Sequence, residues 1–390
     1  MSGSRFICGV DRLETEAGAI LNNRRVALVT AASQVNGAGE PVAQVVARLA
    51  GKRLAALWSL QHGFFADRQD NMVLSESFTH PELGIPVRSL YAERRLPGED
   101  WLDGIDLLLV DVFDVGTRVY TFLNHLIMVM KYLSGRGIGV VVLDRPNPLG
   151  GIDLEGGIAA PNWFSLVAQL PVPMRHGLTA GEYLLWGADF HGIDLELDVL
   201  EVRGWRRPQE FSGTWTYPSP NMPGPATARL YPGAVMLEGT NLSEGRGTTR
   251  PFELVGAPWL AAHELAGELR DLGYKDVVLL PLGFRPEFGK FTNELCAGLL
   301  VLPRREWNGR SFGLYYDLIR LARNRHPGEF AWKEPPYEFE TERLPLDMIN
   351  GGPAVREWIE ADRPFAEVEP EIDKALAAYR ETVAPYLLYE

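Results

Sequence analysis

The stretch Leu107-Leu108-Leu109-Val110-Asp111-Val112-Phe113-Asp114-Val115-Gly116-Thr117-Arg118-Val119-Tyr120-Thr121 decides the fold. Leu107–Val112 is an apolar run broken only by Asp111, as expected of a strand buried on both faces. It passes through Asp114-Val115-Gly116 into Val119–Leu133, where the apolar spacing is helical. A buried strand that turns into a helix is half of a parallel βαβ unit. The same pattern recurs on either side. Val26–Thr30 ends in Ala31-Ala32-Ser33 ahead of a helical Pro41–Ala50. Leu54–Leu60 ends in Gln61-His62-Gly63, Val87–Tyr91 is a shorter candidate, and Val140–Leu143 ends in Asp144-Arg145-Pro146-Asn147-Pro148. These units predict an α/β protein with a Rossmann-like N-terminal domain built on a parallel sheet. Ser33, His62, Asp114, Asp144 and Arg145 all follow strands, at the edge where open α/β sheets bind ligands.

Beyond this region, Thr179 and Glu182 lie three apart ahead of an apolar run, which predicts a capping box at a helix start. From Phe211 to Pro258 the chain is rich in Pro, Gly, Thr, Ser and Asn and reads as a long functional loop. The last third returns to mixed α/β, with Ala261–Leu272, Phe312–Asn324, Ala354–Glu360 and Ile372–Tyr389 helical and Val277–Leu282 and Leu299–Leu302 extended. The expected organisation is a Rossmann-like domain over 1–210 and a smaller C-terminal α/β domain over 211–390, with the 211–258 region lining the cleft between them.

The chain has 390 residues, enough for two domains, and 46% hydrophobic with 23% charged residues is a globular balance. The net charge of −13 lacks the basic footprint of a general nucleic-acid binder. No apolar run is long enough to span a bilayer. Two cysteines exclude a disulfide scaffold, and both Cys8 and Cys296 read as buried apolar residues. Without a signal-peptide pattern, the expectation is a soluble cytoplasmic protein; the oligomeric state is left open. The P-loop, dinucleotide, nucleophile-elbow and His-Glu-x-x-His patterns are all missing, and the histidines are scattered. No metal site can be read from their spacing.

Four constellations remain. Gln61-His62 sits at a strand end, where His62 suits acid or base work or a bond to a substrate oxygen. Asp111, Asp114, Arg118 and Tyr120 converge at the strand-to-helix turn, where Arg118 suits bidentate recognition of a carboxylate or, equally, an internal brace. Asp144, Arg145 and Asn147 flank two rigid prolines, either to hold hydroxyls or to satisfy a turn. The segment Glu238–Pro251, with Arg175-His176 before it, gathers Glu238, Glu244, Thr240, Asn241 and Arg246, a mix suited to a polyhydroxylated ligand with an anionic group.

Taken in order, these residues resemble the exo-β-N-acetylmuramidase (NamZ-like) family of glycoside hydrolases, long catalogued as a domain of unknown function. The resemblance runs through His62-Gly63-Phe64, Asp114–Thr121, Leu143–Gly151, Arg175-His176-Gly177, Pro218-Ser219-Pro220-Asn221-Met222-Pro223 and Leu237–Asn241 to Pro251-Phe252-Glu253. It implies a site in the cleft between two domains and release of N-acetylmuramic acid from the non-reducing end of peptidoglycan fragments. It also implies an amino-sugar or muropeptide ligand, and neither a cofactor nor a metal. One position departs: the family turn is Glu-His-Gly-Phe with the glutamate as proposed acid, and here it is Gln61, which cannot deliver a proton.

Three readings follow from that departure. In the first, a relocated acid among Glu238, Glu244, Asp114, Asp70 or Glu76 serves a working enzyme. His62, Asn147 and Asn241 then hold hydroxyls or the acetamido group, and Arg118, Arg175 or Arg246 pairs the lactyl carboxylate. Asp111, Tyr120, Asp144, Arg145, His176, Asn221 and Thr240 complete the substrate contacts. In the second, the protein binds cell-wall sugar without cutting it. In the third, a different sugar or phosphosugar enzyme uses the same scaffold.

Overall fold

The computed structural model describes residues 6–209, 213–304, 307 and 310–390. Seven strands form the large sheet: β1 (Val26–Val29), β2 (Leu54–Ser59), β3 (Phe78–Thr79), β4 (Pro86–Ser89), β5 (Leu107–Val110), β6 (Gly139–Leu143) and β7 (Leu197–Leu200). They lie in the order β3-β4-β2-β1-β5-β6-β7, with β3 antiparallel at the edge and the other six parallel. Leaving β3 aside, the parallel strands run third, second, first, fourth, fifth, sixth in chain order. That is the doubly wound arrangement, whose ligand crevice opens where the order reverses, between β1 and β5.

Alternation along single strands explains why this sheet is buried on both sides. Val26 and Leu28 of β1 and Leu107 and Leu109 of β5 face one apolar cluster, which the helices Gly9–Leu21 and Val42–Ala50 cover. Ala27, Val29, Leu108 and Val110 face the other. The second cluster is continuous from Ala27 to Val383, so the core of the first half runs unbroken into the second.

A small antiparallel sheet follows: β8 (Leu254–Ala257), β9 (Val277–Phe284) and β10 (Cys296–Pro303), in the order β8-β10-β9. The two strands expected there extend past Val277–Leu282 and Leu299–Leu302. The expected capping box at Thr179 is present, the Thr179 side chain accepting from the Glu182 N–H and Glu182 Oε2 accepting from the Thr179 N–H. Cys296 is buried, whereas Cys8 is half-buried.

The stretch read as one long loop is partly regular. It contains the helix Pro225–Ala234, a 3-10 turn Val235–Gly239 and β8. Its helix was hidden by Pro232 and Gly233, which normally break helices. Gly233 is there for packing: a Cβ at this position would stand 2.2 Å from the Ser311 carbonyl oxygen on the helix Ser311–Arg325. The C-terminal helix spans Phe365–Val383, earlier than the expected Ile372–Tyr389. The expected boundary at 210–211 falls outside the described residues. Among the described residues, no helix is long and apolar enough to cross a membrane.

Candidate active site

Two adjoining cavities open at the carboxyl ends of the parallel strands. The inner one, about 30 Å³, is lined by Gln61, His62, Tyr120, Asn221, Glu238, Arg246 and Glu338 among others. That volume holds about one water. The outer one, about 490 Å³, is lined by Asp70, Thr240, Asn241, Glu244, Lys290 and Lys333, and shares Asn71, Glu238 and Arg246 with the inner chamber. A pocket of this size accommodates a small organic ligand.

Gln61 and His62 follow β2 directly. His62 has φ +72°, a left-handed conformation that costs a non-glycine residue roughly 1–3 kcal/mol. The strain turns the chain sharply at the strand end. His62 Nδ1 lies 2.7 Å from the Arg68 carbonyl, so that nitrogen carries the proton and Nε2 is left as an acceptor. Burial pulls the ring down to about 4, which keeps it neutral near pH 7.

The Gln61 amide is fixed on both sides. Its Oε1 accepts from the Thr121 hydroxyl, while Nε2 donates to Glu338 Oε1 at 2.9 Å and lies 3.2 Å from the Tyr91 hydroxyl. Tyr91 in turn donates to Glu338 Oε2 at 2.7 Å. Glu338 is 6% exposed, and burial pushes its carboxyl up to about 7 against the bonds from Tyr91 and Gln61. No sequence expectation named this residue.

Glu338 arrives on a tight turn. Tyr337 and Glu340 exchange backbone hydrogen bonds of 2.9 and 3.0 Å around Glu338 (φ +45°) and Phe339 (φ +68°). Two central residues with positive φ make a type I′ turn, which favours Asn-Gly. Glu-Phe fits it poorly, and packing offsets the strain: the Phe339 ring stacks 4.1 Å from the Arg95 guanidinium and 5.6 Å from the Tyr91 ring. The available signal was therefore an acidic residue held between aromatics in Tyr337-Glu338-Phe339, which carries no turn residue to flag it.

The second carboxyl group, Glu238, lies in the last part of the short 3-10 turn Val235–Gly239 after the Pro225–Ala234 helix. It accepts from Arg246 at 2.7 Å and from the Tyr337 hydroxyl at 2.8 Å. Glu244 pairs with Lys290 at 2.8 Å and with Arg246 at 3.5 Å. Burial works against the Glu244 carboxylate, yet these two cations hold it below the usual range. Thr240 and Asn241 line the outer pocket. Asn241 also ties its segment to Glu329 and Ala331 through bonds of 2.7 and 3.0 Å.

Most of the remaining expected residues lie elsewhere and are engaged in bracing. Asp111 forms a bidentate pair with Arg145 at 2.9 and 3.1 Å, beside a small cavity at the β1–β5 switch point. Arg118 donates to the carbonyls of Gly157, Val172 and Ile349 at 2.9, 2.7 and 2.6 Å. Asp114 caps the Gly116 N–H at 2.6 Å and lies 3.3 Å from His176 Nε2. Asp144, pushed up to about 6 by burial, accepts from the Tyr389 hydroxyl and the Gly181 N–H. Asn147 closes its own turn onto Leu149 and reaches the Leu178 carbonyl. Arg175 pairs with Glu155 at 3.2 Å, on the wall of a separate surface cavity. Asp70 lines the outer pocket. Among the described residues, no group of three His, Cys, Asp or Glu is arranged to hold a metal ion.

Comparison with known proteins places this geometry in a family. The chain is 33% identical over 387 residues to the peptidoglycan beta-N-acetylmuramidase NamZ of Bacillus subtilis, covering 98% of this chain and 91% of that protein. A DUF1343 family protein from Bacteroides fragilis superposes with a TM-score of 0.85 at 25% identity, over 99% of both chains. A second DUF1343 protein from the same species reaches 0.76 at 24% identity and 99% coverage, a likeness of fold. The models for the N-terminal and C-terminal parts of exo-beta-N-acetylmuramidase NamZ match residues 26–226 and 229–389, so the chain belongs to the NamZ family.

Proposed function

We propose that this protein is a glycoside hydrolase acting on N-acetylmuramic-acid-type glycosides derived from peptidoglycan. The observation that carries the reading is the pair of buried carboxyl groups, Glu238 and Glu338, on the wall of one chamber at the ligand edge of the sheet. Glycoside hydrolysis uses two carboxyl groups about the scissile bond. Family membership supplies the amino-sugar class. In this reading the sugar sits in the outer pocket with its anomeric carbon toward the wall shared with the inner chamber. Thr240 and Asn241 line that pocket, and Asn221 lines the inner chamber behind it.

The lactyl carboxylate needs a cation. Arg118 and Arg175 lie away from both cavities, and Arg246 is engaged by two glutamates. Lys333 lines the outer pocket and has no carboxylate partner among the described residues. We therefore assign it the lactyl group. A sugar-binding protein without turnover is the weaker reading, because its only support was the missing acid at position 61, and a carboxyl lies 2.9 Å from that amide.

The test is release of free N-acetylmuramic acid from an N-acetylmuramyl-β-1,4-N-acetylglucosamine disaccharide, followed by mass spectrometry between pH 5 and 9. Release supports the reading. Tight binding of the disaccharide with no release across that range would replace it with the sugar-binding reading.

A further inference from the structure

We infer that Glu338 is the proton donor of this enzyme and that Gln61 is its positioning residue. The inference rests on the functional reading above and deepens it. Position 61 carries an amide, so the acid must come from another element. Among the residues lining the inner chamber, the carboxyls are Glu238 and Glu338. Glu238 is paired with the Arg246 guanidinium at 2.7 Å and accepts from the Tyr337 hydroxyl. Glu338 has no ion-pair partner among the described residues, although the Arg246 charge nearby partly offsets the effect of burial on its carboxyl. Its neighbours are two neutral donors, the Gln61 amide and the Tyr91 hydroxyl.

The two carboxyls thus differ in their surroundings: Glu238 is ion-paired with a guanidinium, whereas Glu338 accepts from neutral donors. A general acid near its own pKa at working pH combines a useful protonated fraction with good donating power. The Glu338 carboxyl, pushed up to about 7 by burial, satisfies that condition. Its strained turn also has a purpose under this assignment. The left-handed backbone at Glu338 and Phe339 brings a carboxyl from the C-terminal half against Gln61 and Tyr91 of the N-terminal half.

The step balances as follows. The bond between the anomeric carbon and the glycosidic oxygen breaks, its electron pair stays on that oxygen, and the oxygen takes the Glu338 proton to leave as an alcohol. A water then bonds through oxygen to the anomeric carbon and gives a proton to the Glu338 carboxylate. One water is consumed and the glutamate returns to its starting form. Gln61 does not exchange a proton at any point: its amide, locked by Thr121, aims the carboxyl.

The experiment compares wild type, E338Q and the exchanged variant Q61E/E338Q on two β-glycosides of N-acetylmuramic acid. One carries a 2,4-dinitrophenyl leaving group, which departs without a proton; the other is the N-acetylglucosamine disaccharide, which needs one. E338Q should lose roughly 10²–10⁴-fold in kcat on the disaccharide and less than tenfold on the dinitrophenyl glycoside. The second substrate also reports that the variant is folded. Wild-type kcat/KM on the disaccharide should fall above pH 7, and that limb should vanish in E338Q. Moving the carboxyl back to position 61 in Q61E/E338Q should restore part of the disaccharide activity. An active wild type with E338Q equally active on the disaccharide, or equally impaired on both substrates, would overturn the assignment alone. A wild type inert on both substrates would overturn the functional reading and this inference with it.

Discussion

Exchanging Glu338 for glutamine should make the protein progressively more stable than wild type as the pH rises. The folded state holds the Glu338 proton more tightly than the unfolded chain does, because burial raises the carboxyl from its ordinary 4.5 to about 7. A group raised in the folded state favours folding fully below its unfolded value, and that contribution disappears as pH rises through the folded value. That rise from 4.5 to about 7 corresponds to about 3 kcal/mol in all. Integrated between pH 5.5 and 8.5, it leaves about 2 kcal/mol. Glutamine does not titrate, so the E338Q-minus-wild-type difference should grow in favour of E338Q by that amount over the interval. The substitution also disturbs the bonds from Tyr91 and Gln61, but that cost is nearly constant with pH and cancels in the slope. Urea unfolding of both proteins at four pH values gives the difference directly. A difference that stays flat within about 0.5 kcal/mol would mean that Glu338 titrates alike in both states, and the argument for a poised acid would fall with it.

Four further outcomes are expected. His62, pulled down to about 4 by burial, should keep a neutral imidazole between pH 5 and 8, read as an unchanging ring-proton shift in NMR. K333Q should raise KM for an N-acetylmuramic acid glycoside roughly five- to tenfold and leave the matching N-acetylglucosamine glycoside unchanged, since only the former carries the lactyl charge. R118M should cost about 3–5 kcal/mol in urea unfolding, because it strands the buried carbonyls of Gly157, Val172 and Ile349. F339G should change stability by no more than about 1 kcal/mol, relief of left-handed strain offsetting the lost contacts with Arg95 and Tyr91. It should nonetheless lower kcat several-fold by loosening the Glu338 turn; an unchanged kcat would show that the turn does not aim the acid.

The sheet was legible because both of its faces are buried. Strands such as Leu107–Val110 then read as unbroken apolar runs, and the turns after them read as ligand edge. The same logic overreached at individual residues. The strand ends of a doubly wound sheet need bracing as well as function, and Asp111, Asp144, Arg145 and Asn147 supply it. A residue list cannot separate the two uses, since an aspartate holding an arginine and an aspartate holding a sugar look alike in one dimension. Glu238, Glu244 and Arg246, which line the cavities, stood out because a charged, hydroxyl-rich stretch rarely serves packing alone. Glu338 was not, because its turn contradicts local preference: Glu-Phe occupies positions that favour Asn-Gly, and only contacts made by distant residues hold it there.

Where the carboxyl sits has a consequence for how the site assembles. An acid at position 61 would belong to the sheet and be present whenever the first half is folded. Glu338 belongs to the second half, and its partners Gln61 and Tyr91 belong to the first. The C-terminal segment reinforces this dependence further along the same sheet, where Tyr389 bonds Asp144 and Leu388 bonds Glu182. Both halves therefore share one core and one constellation. The raised carboxyl, the strained turn and the neutral amide are consequences of one arrangement: removing the charge that an acid at position 61 would carry leaves a neutral, desolvated slot. There burial, with the Glu238 charge beside it, outweighs the bonds from Tyr91 and Gln61 and the nearby Arg246 charge and lifts a glutamate toward neutral pH.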